Sequence, residues 1–78
     1  MNEELKQQLA LIDEIDPKFK KKISLSIDEV GSVIGVSRST IDKLRNDGTG
    51  PEYRKIGSKY IYPKIKLAEW LLLTIKTV

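Results

Sequence analysis

The stretch LSIDEVGSVIGVSRSTIDKLRND, residues 25–47, decides the fold because it contains two short helices with very little chain between them. Ser26 is followed three residues later by Glu29, which is the spacing of a capping box and predicts that a helix begins here. Apolar residues then recur at helical spacing up to Gly35. We expect the helix to end at this glycine, which adopts the left-handed conformation without a steric cost.

A second helix is predicted to follow after a turn of only three residues. Ser37 is placed as its N-cap, and a dense cluster of turn-forming residues begins near Asn46 and Asp47. Gly31 lies inside the first helix, where a glycine costs roughly 1 kcal/mol relative to alanine. We therefore expect it to permit a close approach where the two helices cross. Two short helices joined in this way predict a helix-turn-helix.

Downstream of these helices, the sequence predicts a β-hairpin and a closing amphipathic helix. Two β-prone runs, 53–56 and 59–62, flank Gly57-Ser58, and Gly57 suits the first position of a type II′ turn. Ile56 and Ile61 are expected to face the core. The closing helix should begin around Pro63. Its apolar stripe is formed by Leu67, Trp70, Leu71, Thr74, Ile75 and Val78.

An N-terminal helix is predicted over residues 3–15, ending before Pro17. Its apolar face should pack on Leu72 and Leu73, either within the chain or across a dimer; this face consists of Leu5, Leu9 and Ile12. The next residues, KFKKK (18–22), have the composition of a basic linker, which could lie along a phosphate backbone or simply be solvated, the commoner case for a run of charges. The predicted organisation is thus an acidic helix with a basic linker over residues 1–22 and a winged helix-turn-helix domain over residues 23–78, a mainly α fold with a small β-hairpin.

Composition argues against an enzyme. The chain has 78 residues and contains neither cysteine nor histidine, which removes thiol chemistry, the commonest general base and most transition-metal sites. The acidic residues are scattered and show no metal-binding spacing. We expect no catalytic residue, no bound metal and no cofactor.

The charge is distributed unevenly along the chain. Residues 1–16 carry one basic and five acidic side chains, a net charge of −4, whereas residues 17–78 carry thirteen basic and six acidic ones, a net charge of +7. A small basic module suits a polyanionic partner, because contacts between lysine or arginine and phosphates release condensed counterions. The acidic N-terminus does not have the pattern of a signal peptide, and the longest apolar run, residues 70–73, is too short to span a bilayer. We therefore expect a cytoplasmic protein with no membrane partner.

The polar residues of the second predicted helix are candidate DNA contacts, since they lie off its apolar face. Arg38 could make a bidentate contact with guanine, and Ser39 or Thr40 could reach a base edge or a phosphate. Asp42 would be repelled by DNA unless it accepted from cytosine or paired with Lys43 or Arg45. The predicted contacts of this helix are Arg38, Ser39, Thr40, Asp42, Lys43 and Asn46. Those of the hairpin are Arg54, Lys55 and Lys59, with Lys64 as a further candidate for positive charge beside it.

The order of these motifs resembles the excisionase and AlpA-like family of phage and mobile-element DNA-binding proteins, which have a MerR-like winged helix-turn-helix fold. The resemblance covers residues 25–71. It is carried by the segments LSIDEV (25–30), IGVSRSTI (34–41), GP (50–51), KIG (55–57), YIY (60–62) and LAEWL (67–71).

That resemblance implies a non-enzymatic protein that binds short sites in double-stranded DNA, often bends them, and has one of two roles. It would either direct a recombinase (an integrase) toward excision, or regulate transcription by RNA polymerase from a nearby promoter. On the matching positions, the resemblance implies contacts by Ser37, Arg38, Ser39, Thr40 and Lys43, and wing contacts by Lys55, Ser58 and Lys59. A homodimer or cooperative assembly on DNA is compatible with this role.

Two other functions fit parts of the sequence. Small terminase-type subunits of DNA-packaging machines also use a winged helix. A protein-interaction module would explain the apolar face of residues 5–15 together with Leu72 and Leu73. Salt dependence separates this last alternative from the others, because affinity driven by phosphate contacts falls steeply as salt rises.

Overall fold

The computed structural model describes residues 2–76 and the side chains of residues 2–74. Within this range the chain is mainly helical with a small antiparallel sheet, which confirms the predicted winged helix-turn-helix with an additional N-terminal helix. The helices and strands are α1 (Glu3–Ile15), a 3₁₀ helix (Pro17–Lys21), β1 (Ser24–Leu25), α2 (Ile27–Ile34), α3 (Arg38–Asp47), β2 (Arg54–Ile56), β3 (Lys59–Pro63) and α4 (Lys64–Lys76).

The start of α2 is fixed by the predicted capping box. The Ser26 hydroxyl accepts from the Glu29 N–H at 3.2 Å, and the Glu29 carboxylate accepts from the Ser26 N–H at 2.9 Å. Together these bonds satisfy two of the backbone donors that every helix start leaves without an intrahelical partner. The position and the entry direction of α2 are therefore encoded locally.

The turn between α2 and α3 is tight because Gly31 admits the backbone that follows it. The Gly31 carbonyl accepts from the N–H groups of both Gly35, at 2.7 Å, and Val36, at 3.0 Å. A Cβ atom at Gly31 would lie 2.8 Å from the Val36 carbonyl oxygen. Gly35 itself has a φ of 84°, the left-handed conformation expected of a helix C-cap. Gly31 does permit a close backbone approach, but the prediction that α3 is the neighbour is wrong, since the approaching atoms belong to Val36 of the turn.

The sheet has three strands in the order β1-β3-β2, with both pairs antiparallel, so a strand that was not predicted joins the hairpin. Leu25 of β1 lies opposite Tyr62 of β3, and each is 1% exposed. Gly57 has a φ of 62° at the hairpin turn, as a type II′ turn requires. The expectation that Ile56 faces the core is wrong: its side chain is 63% exposed. Pro63 ends β3 and α4 begins one residue later.

One hydrophobic core collects side chains from α1, the 3₁₀ helix, β1, α2, α3, β3 and α4. Its buried members are Leu5, Ile12, Phe19, Leu25, Ile27, Val30, Ile41, Tyr62, Leu67 and Ala68. Leu72 packs against this cluster, whereas Leu73 is 69% exposed on the rim of a groove that Leu5 also lines. The predicted packing of α1 on α4 thus occurs within the chain. Of the expected α4 stripe, the side chains of Ile75 and Val78 lie outside the described residues.

The segment expected to be a basic linker is instead the ordered 3₁₀ helix. The Asp16 carboxylate accepts from the Lys18 N–H at its start, and Phe19, 2% exposed, anchors it in the core. The Lys64 ammonium then donates both to the Phe19 carbonyl, at 2.9 Å, and to the Asp13 carboxylate, at 2.7 Å. The first residue of α4 therefore fastens α1 and the 3₁₀ helix to the rest of the chain.

Candidate nucleic-acid interface

A groove runs between α3, the N-terminal end of α2 and the wing, by which we mean β2, β3 and the turn that joins them. This α3–wing groove is lined by Lys22, Ser24, Leu25, Ser26, Ile27, Asp28, Glu29, Arg38, Asp42, Arg45, Ser58, Lys59, Tyr60 and Ile61. It brings Arg38 and Asp42 of α3 together with Ser58 and Lys59 of the wing, although the two pairs are sixteen or more residues apart in sequence.

Hydroxyl groups cluster at the start of α3. Ser37 caps the helix by accepting from the Thr40 N–H at 3.4 Å, and its Oγ lies 3.0 Å from the Ser39 hydroxyl and 3.2 Å from that of Thr40. All three residues are exposed. Because the cap occupies Ser37, the Ser39 and Thr40 hydroxyls are the better placed for an external partner.

Arg38, the first residue of α3, forms an ion pair with Asp28 of α2. Its Nη1 lies 3.3 Å from both carboxylate oxygens, and the two side chains are 61% and 72% exposed. Solvent-exposed ion pairs of this kind contribute about 0–1 kcal/mol. Arg38 can therefore leave Asp28 at small cost and bind an acceptor brought to the groove from outside.

Asp42 is held by Arg45 one turn further along α3. The Arg45 Nη2 lies 2.8 Å from the Asp42 carboxylate, and the guanidinium stacks 3.8 Å from the centre of the Tyr60 ring. A hydrogen bond to the Tyr62 hydroxyl at 3.5 Å, and then the one to Asp42, raise the pKa of Arg45. The sequence offered Arg45 only as a partner of Asp42, whereas in the fold it joins α3 to the wing. Asp42 consequently presents a paired carboxylate to the groove.

The other predicted contacts, which include the Ser37, Ser39 and Thr40 hydroxyls, lie outside the groove lining. Lys43 and Asn46 are exposed on α3, and Arg54 and Lys55 are exposed on β2, where Lys55 pairs with Tyr60 across the ladder. The Lys55 ammonium lies 5.6 Å from the centre of the Tyr60 ring. Lys43, Arg54 and Lys55 thus add exposed positive charge outside the groove lining, and Asn46 adds an exposed amide.

Lys22, which the sequence placed in a basic linker, is also a residue of the groove. Its ammonium lies 2.6 Å from the Glu29 carboxylate, which is 13% exposed. Burial raises the pKa of Glu29, but the hydrogen bonds from Lys22 and from the Ser26 N–H outweigh that effect and leave the pKa below its ordinary value. Lys22 caps the C-terminal end of the 3₁₀ helix and Glu29 lies in α2, so the periodicity of a single helix could not predict this ion pair.

Among the side chains that the structure describes, residues 2–74, no group of three or more acidic side chains is arranged to hold a metal ion. No helix among residues 2–76 is long and apolar enough to cross a membrane.

The residues of α3, of the wing and of the groove other than Lys22 lie within a segment that matches a known sequence family. A family model described as a helix-turn-helix domain matches residues 24–72, which is more than half of the chain. Comparison with the curated proteins and with the solved structures finds no match to the chain. Residues 2–23, which form α1 and the 3₁₀ helix, precede the matched segment.

Proposed function

The chain belongs to the helix-turn-helix domain family, and from that membership we propose that it reads a specific sequence in double-stranded DNA. The family includes AlpA-like and excisionase-like small DNA-binding proteins. The observation that carries the proposal is the α3–wing groove, which places Arg38 of α3 beside Ser58 and Lys59 of the wing.

In the proposed complex, α3 lies in the major groove with its first turn against the base edges. Arg38 gives up the exposed carboxylate of Asp28 and donates to guanine, the base whose two acceptors match a guanidinium. Ser39 and Thr40 bind a neighbouring base edge or phosphate, and Ser37 keeps the helix capped. The pairing of Asp42 with Arg45 reduces the repulsion that a free carboxylate would exert on the DNA.

The wing supplies contacts that position the protein without reading sequence. Ser58 and Lys59 lie at or next to the hairpin turn, and Arg54 and Lys55 are exposed on its outer strand. These groups suit the phosphate backbone or the adjacent minor groove. Lys43 and Asn46 of α3 face solvent and suit the backbone that flanks the major groove.

In the cell, we propose the role of an excisionase-like recombination directionality factor or an AlpA-like transcriptional regulator of a phage or mobile element. Its protein partner is then a recombinase in the first role or RNA polymerase in the second. A homodimer or cooperative assembly on DNA belongs to the same proposal, because closely spaced short sites are filled more tightly by neighbours that contact each other. Support comes from the motif order of residues 25–71 and from family membership.

A fluorescence anisotropy titration tests DNA binding directly. The protein is titrated into labelled duplexes taken from the neighbourhood of its own gene, at about 50 and 200 mM salt. We expect one fragment to bind more tightly than the others, with an affinity that falls steeply at the higher salt concentration. Footprinting on that fragment shows whether the site adjoins a recombination site or a promoter. Absence of duplex binding at low salt would contradict the proposal and favour a protein-interaction module.

Two substitutions separate reading from positioning. Arg38→Ala should cost about 1–3 kcal/mol on the specific site and relax the preference for one base, whereas Lys59→Ala should weaken specific and unrelated duplexes alike. The two variants are compared on the best fragment and on scrambled versions of it. Equal losses on every sequence for both variants would contradict the assignment of α3 as the reader.

A further inference from the structure

The 3₁₀ helix together with Lys22, which we call the basic turn, carries four lysines, of which Lys22 lines the α3–wing groove: Lys18, Lys20, Lys21 and Lys22. It precedes the segment that matches the helix-turn-helix family. Lys22 lines the same groove as Arg38 and Lys59. The basic turn therefore borders the surface that the proposed function assigns to DNA.

The backbone of the turn is anchored on the fold by a buried side chain and a hydrogen bond. Phe19 is 2% exposed in the core, and its carbonyl accepts from the Lys64 ammonium at 2.9 Å. Lys22 and Lys18 both face the Glu29 carboxylate, at 2.6 and 3.9 Å. An anchored segment gives up less conformational entropy on binding than a mobile basic tail, so its cations contribute more of their attraction to affinity.

Two of the four lysines form no ion pair within the part of the chain that the structure describes. Lys18 and Lys22 pair with carboxylates, whereas Lys20 and Lys21 are exposed and have no partner among residues 2–76. Both lie within two residues of Lys22, so their Cα atoms are at most about 7 Å from that of a groove residue. Two exposed, uncompensated lysines whose Cα atoms lie this close to a groove residue suit contact with the phosphates of a duplex that occupies the groove.

We propose that the basic turn is a third DNA-contacting element, in which Lys20 and Lys21 bind backbone phosphates beside the site covered by α3 and the wing. This inference rests on the proposed function. It extends the DNA footprint beyond the family domain without adding any reading of sequence, because ammonium groups at phosphates carry no base preference.

The double variant Lys20→Gln/Lys21→Gln tests the proposal on the full chain. Losing two phosphate contacts should make the slope of log affinity against log salt shallower by about 1.8, and should lower affinity about 5- to 50-fold at moderate salt. The loss should be equal on the best fragment and on scrambled duplexes. Hydroxyl-radical protection should shrink at one flank of the footprint only.

The matched control is Lys6→Gln/Lys66→Gln, which removes the same charge from exposed positions on α1 and α4 outside the groove lining. It should keep the wild-type salt slope and footprint. An unchanged slope in the Lys20/Lys21 variant, or an equal change in the control, would overturn the proposal while leaving duplex binding in place. Failure of the wild-type protein to bind any duplex would instead overturn the proposed function.

A second measurement needs no substitution. An amine-reactive reagent is applied to the wild-type protein with and without the bound duplex, and the modified lysines are identified by mass spectrometry. We expect the duplex to protect Lys20 and Lys21 at least threefold more than Lys6. Equal modification of Lys20 and Lys21 in the two states would contradict the contact.

Discussion

At Gly31 the backbone of the α2–α3 turn occupies the space that a side chain would need. Alanine is favoured over glycine in a helix by about 1 kcal/mol, but its Cβ would lie 2.8 Å from the Val36 carbonyl oxygen. We expect Gly31→Ala to lose about 1–3 kcal/mol of unfolding free energy, because the turn must shift to admit the methyl group. Urea denaturation measures the loss, with Ser32→Ala at an exposed site of the same helix as the control. A variant as stable as the wild type would contradict this prediction, because it would show that the turn can shift to admit the methyl group without loss of stability.

The carboxylate of Glu29 stabilises the native state only while it is charged. Since its pKa is lowered from the ordinary value of 4.5, the folded state gains stability above that pH and loses it as the pH falls through the folded-state pKa. We expect Glu29→Gln to be about 1 kcal/mol less stable than the wild type at pH 7, with the difference shrinking as the pH falls below 4.5. Thermal unfolding between pH 3 and 7 measures it, and Glu14→Gln, at an exposed site, is the control. A difference independent of pH would contradict the assignment.

Single residues could be predicted from the sequence where the signal is local. The capping box of Ser26 and Glu29 spans three residues, and the φ of Gly35 follows from its place after an apolar stripe. The ion pairs of Arg38 with Asp28 and of Lys22 with Glu29 connect residues ten and seven apart on different elements. Their geometry depends on how the elements pack, which no local pattern encodes.

Among the elements, α3 and the wing are joined by Arg45, whose guanidinium stacks on Tyr60 and pairs with Asp42. Lysine cannot reproduce the planar, forked contact, so we expect Arg45→Lys to lose about 1–2 kcal/mol of unfolding free energy. Specific DNA affinity should fall as well, because the wing is no longer fixed relative to α3. Denaturation together with the near-ultraviolet tyrosine signal follows the change. The control is Lys43→Arg, an exposed exchange on the same helix; equal effects of the two would contradict a special role for Arg45.

The helices were predicted more completely than the other elements. Helical periodicity and caps gave α1, α2 and α3 close to their observed bounds. The strand β1 has two residues, too few for an alternating pattern, and it forms only because β3 is beside it. Phe19 is the one apolar residue in a run of lysines, so the sequence suggested a solvated linker, whereas its side chain is buried in the core. The position of the groove could not be predicted because it depends on all these contacts together.

The stability of the whole molecule depends on α1, which contributes two buried side chains to the common core. Ile12 is 1% exposed and Leu11 beside it is 56% exposed, so the pair forms an internal comparison. We expect Ile12→Ala to cost about 2–4 kcal/mol, which is large for a chain of this size, and Leu11→Ala to cost less than about 0.5 kcal/mol. Urea midpoints of the two variants measure the difference. Similar midpoints would show that α1 does not pack on the core in solution.

The contact of Lys64 with Asp13 and with the Phe19 carbonyl bears on how this protein can be reused as a module. A fragment cut at the limits of the family match, residues 24–72, would keep the lysine but lose both of its acceptors. It would also remove Leu5, Ile12 and Phe19 from the buried core to which Leu67 and Ala68 belong. Whoever transplants this helix-turn-helix domain onto another protein must therefore carry the first twenty-three residues with it, and should place the fusion joint ahead of Asn2.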